Sequence, residues 1–115
     1  MSEPADLADL DLERLRSFTG GDEVIEREIL DLFLLGADGY MLALGASSPG
    51  TAAWRQAAHA LKGSAQGVGA ERIAAWAGRL ESLEAQAGPS AVTTGLGELQ
   101  KMIRQVGEQI RRHYP

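Results

Sequence analysis

The sequence predicts an all-α fold, an antiparallel four-helix bundle with a short additional N-terminal helix. Three observations carry that expectation. Apolar residues recur every three or four positions through most of the chain. β-branched residues never cluster with alternating polarity, so no segment reads as a strand. Breakers at Thr19-Gly20-Gly21, Ser47-Ser48-Pro49-Gly50, Gly67-Val68-Gly69 and Gly88-Pro89 cut the chain into helix-length pieces. With 115 residues there is enough chain for one domain and one core, residues 1–115. Hydrophobic residues make up 44% but aromatics only 5%, so that core is built from Leu, Ile, Val and Ala.

The first helix is expected over residues 5–18, with Leu7, Leu10, Leu12 and Leu15 as anchors. Asp22 can cap the second by accepting a free first-turn N–H. That helix runs to about Ala46 and carries Ile25, Ile29, Leu32, Phe33 and Leu44; Gly36 and Gly39 weaken its middle or mark a close contact. A third helix spans about 51–66, with Pro49 or Thr51 at its start. A fourth runs from Ala70 to about Ala87 with Ile73, Trp76, Leu80 and Leu83 in register. The last carries Leu96, Leu99, Ile103, Val106 and Ile110, a regular alternation of three and four that makes one apolar seam. Short connections make neighbouring helices antiparallel.

Composition removes several functions. A net charge of −5 disfavours general nucleic-acid binding, which needs a basic surface to displace counterions. There is no cysteine, hence no disulfide or thiolate chemistry. No apolar run approaches the roughly 18 residues of a membrane span. The acidic start, MSEPADLADLDLE, lacks the basic and apolar regions of a secretory signal. The expectation is a cytoplasmic monomer. The initiating Met and the domain-like length favour a free-standing protein over a piece of a hybrid kinase.

The third helix holds the chemistry. At about 100° per residue, Ala52, Arg55, Gln56, Lys62, Gly63 and Gln66 all fall near His59, while Trp54, Ala57, Leu61, Ser64 and Val68 occupy the opposite side. His59 therefore points away from the core, into a polar and partly basic stripe. By itself this describes a solvated surface histidine as well as a functional one. A neutral ring nitrogen is a nucleophile. Cations one turn either side, Arg55 and Lys62, would draw in and stabilise a phosphoryl group. Gly63 leaves room beside the ring for a partner, where an interior helix glycine otherwise costs about 1 kcal/mol against alanine. His113, two residues from the C-terminus, is the only other histidine.

The segment Ala57 to Glu81, AAHALKGSAQGVGAERIAAWAGRLE, resembles the central motif of the histidine-containing phosphotransfer (HPt) domain family. It has histidine, then Leu61, Lys62, Gly63 and Ser64, then Gly69-Ala70 and Leu80-Glu81. Leu12-Glu13-Arg14-Leu15, Gly21-Asp22 and Leu30-Asp31-Leu32-Phe33 are similar to the family's N-terminal half, so the likeness spans most of residues 10–84. It implies a phosphocarrier. His59 would accept a phosphoryl group through Nε2 and exchange it with the aspartate of a response-regulator receiver domain; a histidine kinase or hybrid kinase is the other expected partner. Glu81 stands where the family often hydrogen-bonds the other ring nitrogen, which fixes the tautomer and raises the basicity of the free one. Magnesium would belong to the receiver, leaving this chain without a cofactor or metal.

No phosphate-binding loop is present to support a kinase: Lys62-Gly63-Ser64 has the wrong order and lies within a helix. The chain is thus expected not to be an enzyme in its own right. Docking would use Gln56 and Gln66 with apolar residues of the second helix, among them Phe33, Leu34 or Leu30. Two alternatives stay open at this point: a helical docking module that carries no phosphate, and a hydrolytic or metal-binding bundle using His59 as base or ligand.

Overall fold

The computed structural model describes residues 10–114. They form five helices, α1 (Leu12–Thr19), α2 (Glu23–Gly45), α3 (Ala52–Val68), α4 (Glu71–Glu81) and α5 (Pro89–His113), and no strand. The last four close a ring of contacts, α2 on α3, α3 on α4, α4 on α5 and α5 on α2, while α1 leans on α2 and α3. Between them lies a core of small and aliphatic side chains, including Leu30, Leu44, Leu61, Ala65, Ile73, Ala77, Leu99 and Ile110.

Local chemistry starts the helices where expected. Asp22 accepts hydrogen bonds from the Val24 and Ile25 N–H groups, and Thr51 accepts one from Trp54 N–H. Gly69 ends α3 at φ 79°, a left-handed conformation open to glycine. A side chain there would also collide with Asp11, whose N–H donates to the Gly69 carbonyl at 2.8 Å. The start of α1 is thereby stitched to the turn between α3 and α4.

α3 and α4 fold back on one another across that turn. The indole of Trp54 is fully buried and donates from Nε1 to the Leu80 carbonyl at 2.6 Å, sealing the far end of the pair. The Lys62 stem runs past Gly78, where an added Cβ would lie 3.4 Å from Lys62 Cδ. Trp76 Nε1 donates to the Gly95 carbonyl at 2.8 Å and ties α4 to α5.

Four expectations need correcting. The first helix begins at Leu12, because Asp11 caps it; Leu10 is buried ahead of it, and Leu7 with residues 5–9 lies outside the described residues. α3 continues through Gly67 to Val68, so only Gly69 stops it. α4 ends at Glu81, six residues short of Ala87. Residues 82–88 instead turn back over the α2–α3 connection, where Gly50 at φ 85° lies so close that a Cβ would sit 2.8 Å from Ala85 N. Finally, Ile25 and Leu32 point outward. The inward stripe of α2 is Glu26, Leu30, Phe33, Ala37 and Leu44. Gly36 and Gly39 do not break α2, and nothing lies within 4 Å of a Cβ added at Gly39.

One member of that inward stripe is a carboxylate. Glu26 is fully buried and accepts hydrogen bonds from Tyr114 OH at 2.8 Å and Thr19 Oγ1 at 2.9 Å, with Arg16 Nε 3.7 Å away. Arg16 also reaches His113, Nη2 to Nε2 at 3.1 Å, and Arg27 donates to the Tyr114 carbonyl. Burial first, then the bond to the Glu26 carboxylate, pushes the Tyr114 phenol up to about 12. The cluster fastens the end of α5 to α1 and α2.

Candidate functional site

His59 lies midway along α3 with its side chain 69% exposed. Its ring is nonetheless held. Nδ1 stands 3.0 Å from Oε2 of Glu81, the last residue of α4. The other carboxylate oxygen, Oε1, accepts from Lys62 Nζ at 3.1 Å. One carboxylate thus joins a ring and an ammonium that lie one turn apart on α3. The turn at Gly69-Ala70 makes this possible. His59 and Glu81 are almost equally far from it along two helices that run back on each other.

The electrostatics follow from the same geometry. A carboxylate at the C-terminal end of a helix meets the negative end of the helix dipole. Lys62 offsets this: its hydrogen bond is the main reason the Glu81 carboxyl is held below its ordinary value, with the bond from His59 adding to it and partial burial opposing. Glu81 is thus an anion at neutral pH. With the carboxylate as acceptor, Nδ1 is the donor, and in the neutral ring the lone pair is then on Nε2. Nε2 belongs to a ring open to solvent. Chemically this is an oriented nitrogen nucleophile beside a compensating anion.

The other residues marked in the sequence are placed as follows. Lys62 is half-buried and engaged with Glu81, so it and Glu81 act as one unit. Arg55 is exposed, but its Nη1 donates to the Gly50 carbonyl at 2.6 Å, at the start of α3. Gln56, Gly63 and Gln66 are exposed on the same side as His59. Nothing lies within 4 Å of a Cβ added at Gly63, so the protein's own packing does not require glycine there.

Docking through Phe33 or Leu30 does not survive. Both are buried, at 5% and 0%, because they fall on the inward stripe of α2, and Leu34 is half-buried. The exposed leucines of α2 are Leu32, Leu35 and Leu42. Their outward position could have been read from the same helical wheel, had Glu26 been accepted as part of the buried stripe. His113 is occupied at the other polar cluster by Arg16. Among the described residues, no group of three or more His, Asp or Glu side chains could hold a metal ion, and no helix is long and apolar enough to cross a membrane.

A helical module presenting one oriented surface histidine is the class of protein that this fold and site define. The model of the Hpt domain family matches residues 28–109, and the chain belongs to that family. It is therefore a phosphotransfer module of the two-component phosphorelay type, a family of carriers whose members work with kinases and receiver domains. No curated protein and no solved structure matched the chain.

Proposed function

We propose that this protein carries a phosphoryl group on His59 Nε2 and exchanges it with the aspartate of a receiver domain. One observation carries the reading: the His59 ring is exposed, yet Glu81 holds its Nδ1 at 3.0 Å. The other histidine, His113, is also exposed and partnered, but by the Arg16 guanidinium rather than by a carboxylate that could orient its ring for attack.

The step balances. The Nε2 lone pair attacks the phosphorus of the receiver's aspartyl phosphate, the P–O bond to the aspartate breaks, and that carboxylate leaves with the electron pair. The imidazole keeps its Nδ1 proton and gains positive charge as the N–P bond forms. Glu81 faces that proton and stabilises the charge as it develops. Lys62, one turn from the ring, can lend its ammonium to the phosphoryl oxygens. Magnesium, on this reading, belongs to the receiver, and transfer is assembled across the interface. Net flow in either direction uses the same atoms. A histidine kinase or hybrid kinase is the other partner in this reading.

Docking falls on the surface shared by α2 and α3. These helices leave the short connection at 46–51 in opposite directions, which brings His59 level with Asp38 along the pair. Leu32, 68% exposed on the α3 side of α2, supplies the apolar centre in place of Phe33. Gly63, with open space around it, lets a partner's backbone come close. Gln56 and Gln66 form the polar rim, and Arg55 faces the partner's acidic pocket from the start of α3.

The test is incubation with acetyl phosphate or a phosphorylated receiver domain, read by intact mass. The expected result is a gain of one phosphoryl mass, labile to acid and stable to alkali, absent from His59→Gln. Uptake by His59→Gln on a nitrogen would overturn the assignment.

A further inference from the structure

We infer that the outer face of α2 and α5 is a self-docking surface, and that a second copy of this chain covers it. Of the six large apolar side chains exposed among the described residues, five (Val24, Ile25, Leu32, Leu35 and Leu42) lie on α2, and the sixth, Phe18, lies on α1. Leu32 and Ile25 turn toward the α3 side of α2. Val24, Leu35 and Leu42, 69%, 70% and 77% exposed, form a separate row along its outside. That row borders two shallow grooves on the α5 side. One is lined by Glu23, Val24, Arg27, Glu28, His113 and Tyr114, the other by Asp38, Met41, Leu42, Gly45, Leu96 and Gln100. This face lies across α2 from α3, so it does not include His59.

Charge identifies the occupant. Between the apolar residues, the outside of α2 carries Glu28 and Asp38, and Asp31 paired with Arg27 at 3.2 Å, so acids outnumber the one cation. The outside of α5 carries Lys101, Arg104, Arg111 and Arg112, which outnumber Glu108 and Glu98, the latter 3.9 Å from Lys101. The Arg111 guanidinium folds back over Gly107 toward α2, 3.6 Å from where a Cβ would stand. The face is thus acidic along one helix and basic along the other. A two-fold axis along the groove between them lays α2 of one copy on α5 of the other.

The two helices are in register for that pairing. Glu26 stands beside Tyr114, and a Cβ on Gly107 would touch Leu34, so α2 and α5 run antiparallel and Asp38 is within about half a turn of the level of Arg104. The axis brings Asp38 of each copy to Arg104 and Lys101 of the other, and Glu28 to Arg111 and Arg112. Stacking α2 on α2 would instead set acid against acid. A face two helices wide and about 30 Å long approaches the ~800 Å² per partner of a standard interface. Both His59 rings stay outside it. On this reading the chain is not the monomer expected from its sequence.

Sedimentation equilibrium of the full chain, from low to high micromolar concentration, tests it. The mass should rise from 12.2 kDa toward twice that value. Asp38→Arg and Arg104→Asp should each weaken association by about tenfold, and the double variant should restore it. Leu35→Asp should leave a single-chain mass with an unchanged helical spectrum. A single-chain mass throughout, or an association that ignores the charge reversals or is not restored by the double variant, overturns the proposal.

Discussion

Two glutamates tie helices together in this molecule, and they do it in opposite ways. Glu26 is sealed, with a phenol, a hydroxyl and a guanidinium around it. Glu81 is 26% exposed and holds a solvent-facing ring and an ammonium. The first joins α1, α2 and the end of α5, where movement would open the bundle. The second joins α3 and α4 at a place where the ring must stay reachable. Hydrogen bonds to a buried charge are costly to break because water cannot replace the lost partner. Bonds to an exposed charge are cheap to break, so their value lies in orientation. Glu26 is therefore expected to matter for stability and Glu81 for transfer.

The largest effect should come at Glu26. Glu26→Ala strands the buried Tyr114 hydroxyl and empties a buried site, and should cost about 3 kcal/mol in denaturant unfolding. Phosphoryl acceptance by the folded fraction should be unchanged. A small stability loss coupled to a large transfer defect would erase the contrast between the two glutamates.

Glu81→Ala should do the reverse. Its unfolding midpoint should move little, while transfer falls by more than tenfold, or about 1.4 kcal/mol of barrier. Nitrogen NMR of the imidazole reads the cause. The wild type should hold the proton on Nδ1, and Glu81→Ala should drift to the populations of a histidine in solution. Glu81→Gln keeps an acceptor and should be mild. Equal tautomer populations in wild type and Glu81→Ala would reduce Glu81 to a surface acid.

Lys62→Ala should lower transfer by about tenfold without abolishing it. Because Lys62 also holds Glu81, part of that loss should appear in the same NMR signature. A rate loss with no change in the ring would mean that Lys62 acts on the phosphoryl group alone.

The smallest effects are those of pH on the wild type. Tyr114 has its pKa raised in the folded state, so its contribution is complete below 10 and is lost as pH rises toward about 12. Tyr114→Phe should remove that alkaline loss. Glu81 has its pKa lowered, so its contribution is present above the ordinary 4.5 and fades as pH falls through the depressed value. Glu81→Gln should flatten that acid limb. An unaltered alkaline limb in Tyr114→Phe would place the sensitive group elsewhere.

Much of this was legible in the residues. The helical period, the breakers and the caps at Asp22 and Thr51 are local, set by side chains acting on backbone within a turn or two. They determined the number, order and approximate extent of the helices. The wheel around His59 determined that the ring faces outward, since Trp54, Ala57 and Leu61 claim the other side of α3. The spacing from His59 through Lys62-Gly63 to Leu80-Glu81 pointed to the family and to Glu81.

What depends on distant contacts was not legible. Helix periodicity continues to Ala87, but α4 stops at Glu81 because residues 82–88 are drawn across the turn at Gly50. The apolar positions of α2 outnumber what one face can bury. Only packing against α3 and α5 chose Leu30 and Phe33 for the core and left Leu32, Leu35 and Leu42 outside. That the Lys62 ammonium and the His59 ring share one carboxylate was decided by the α3–α4 pairing. Tertiary contacts likewise placed Glu26 inside, because the Tyr114 hydroxyl, 88 residues away in the chain, arrives to satisfy it. Local sequence can place a charge on a helix; only the fold brings the partner that lets it stay buried.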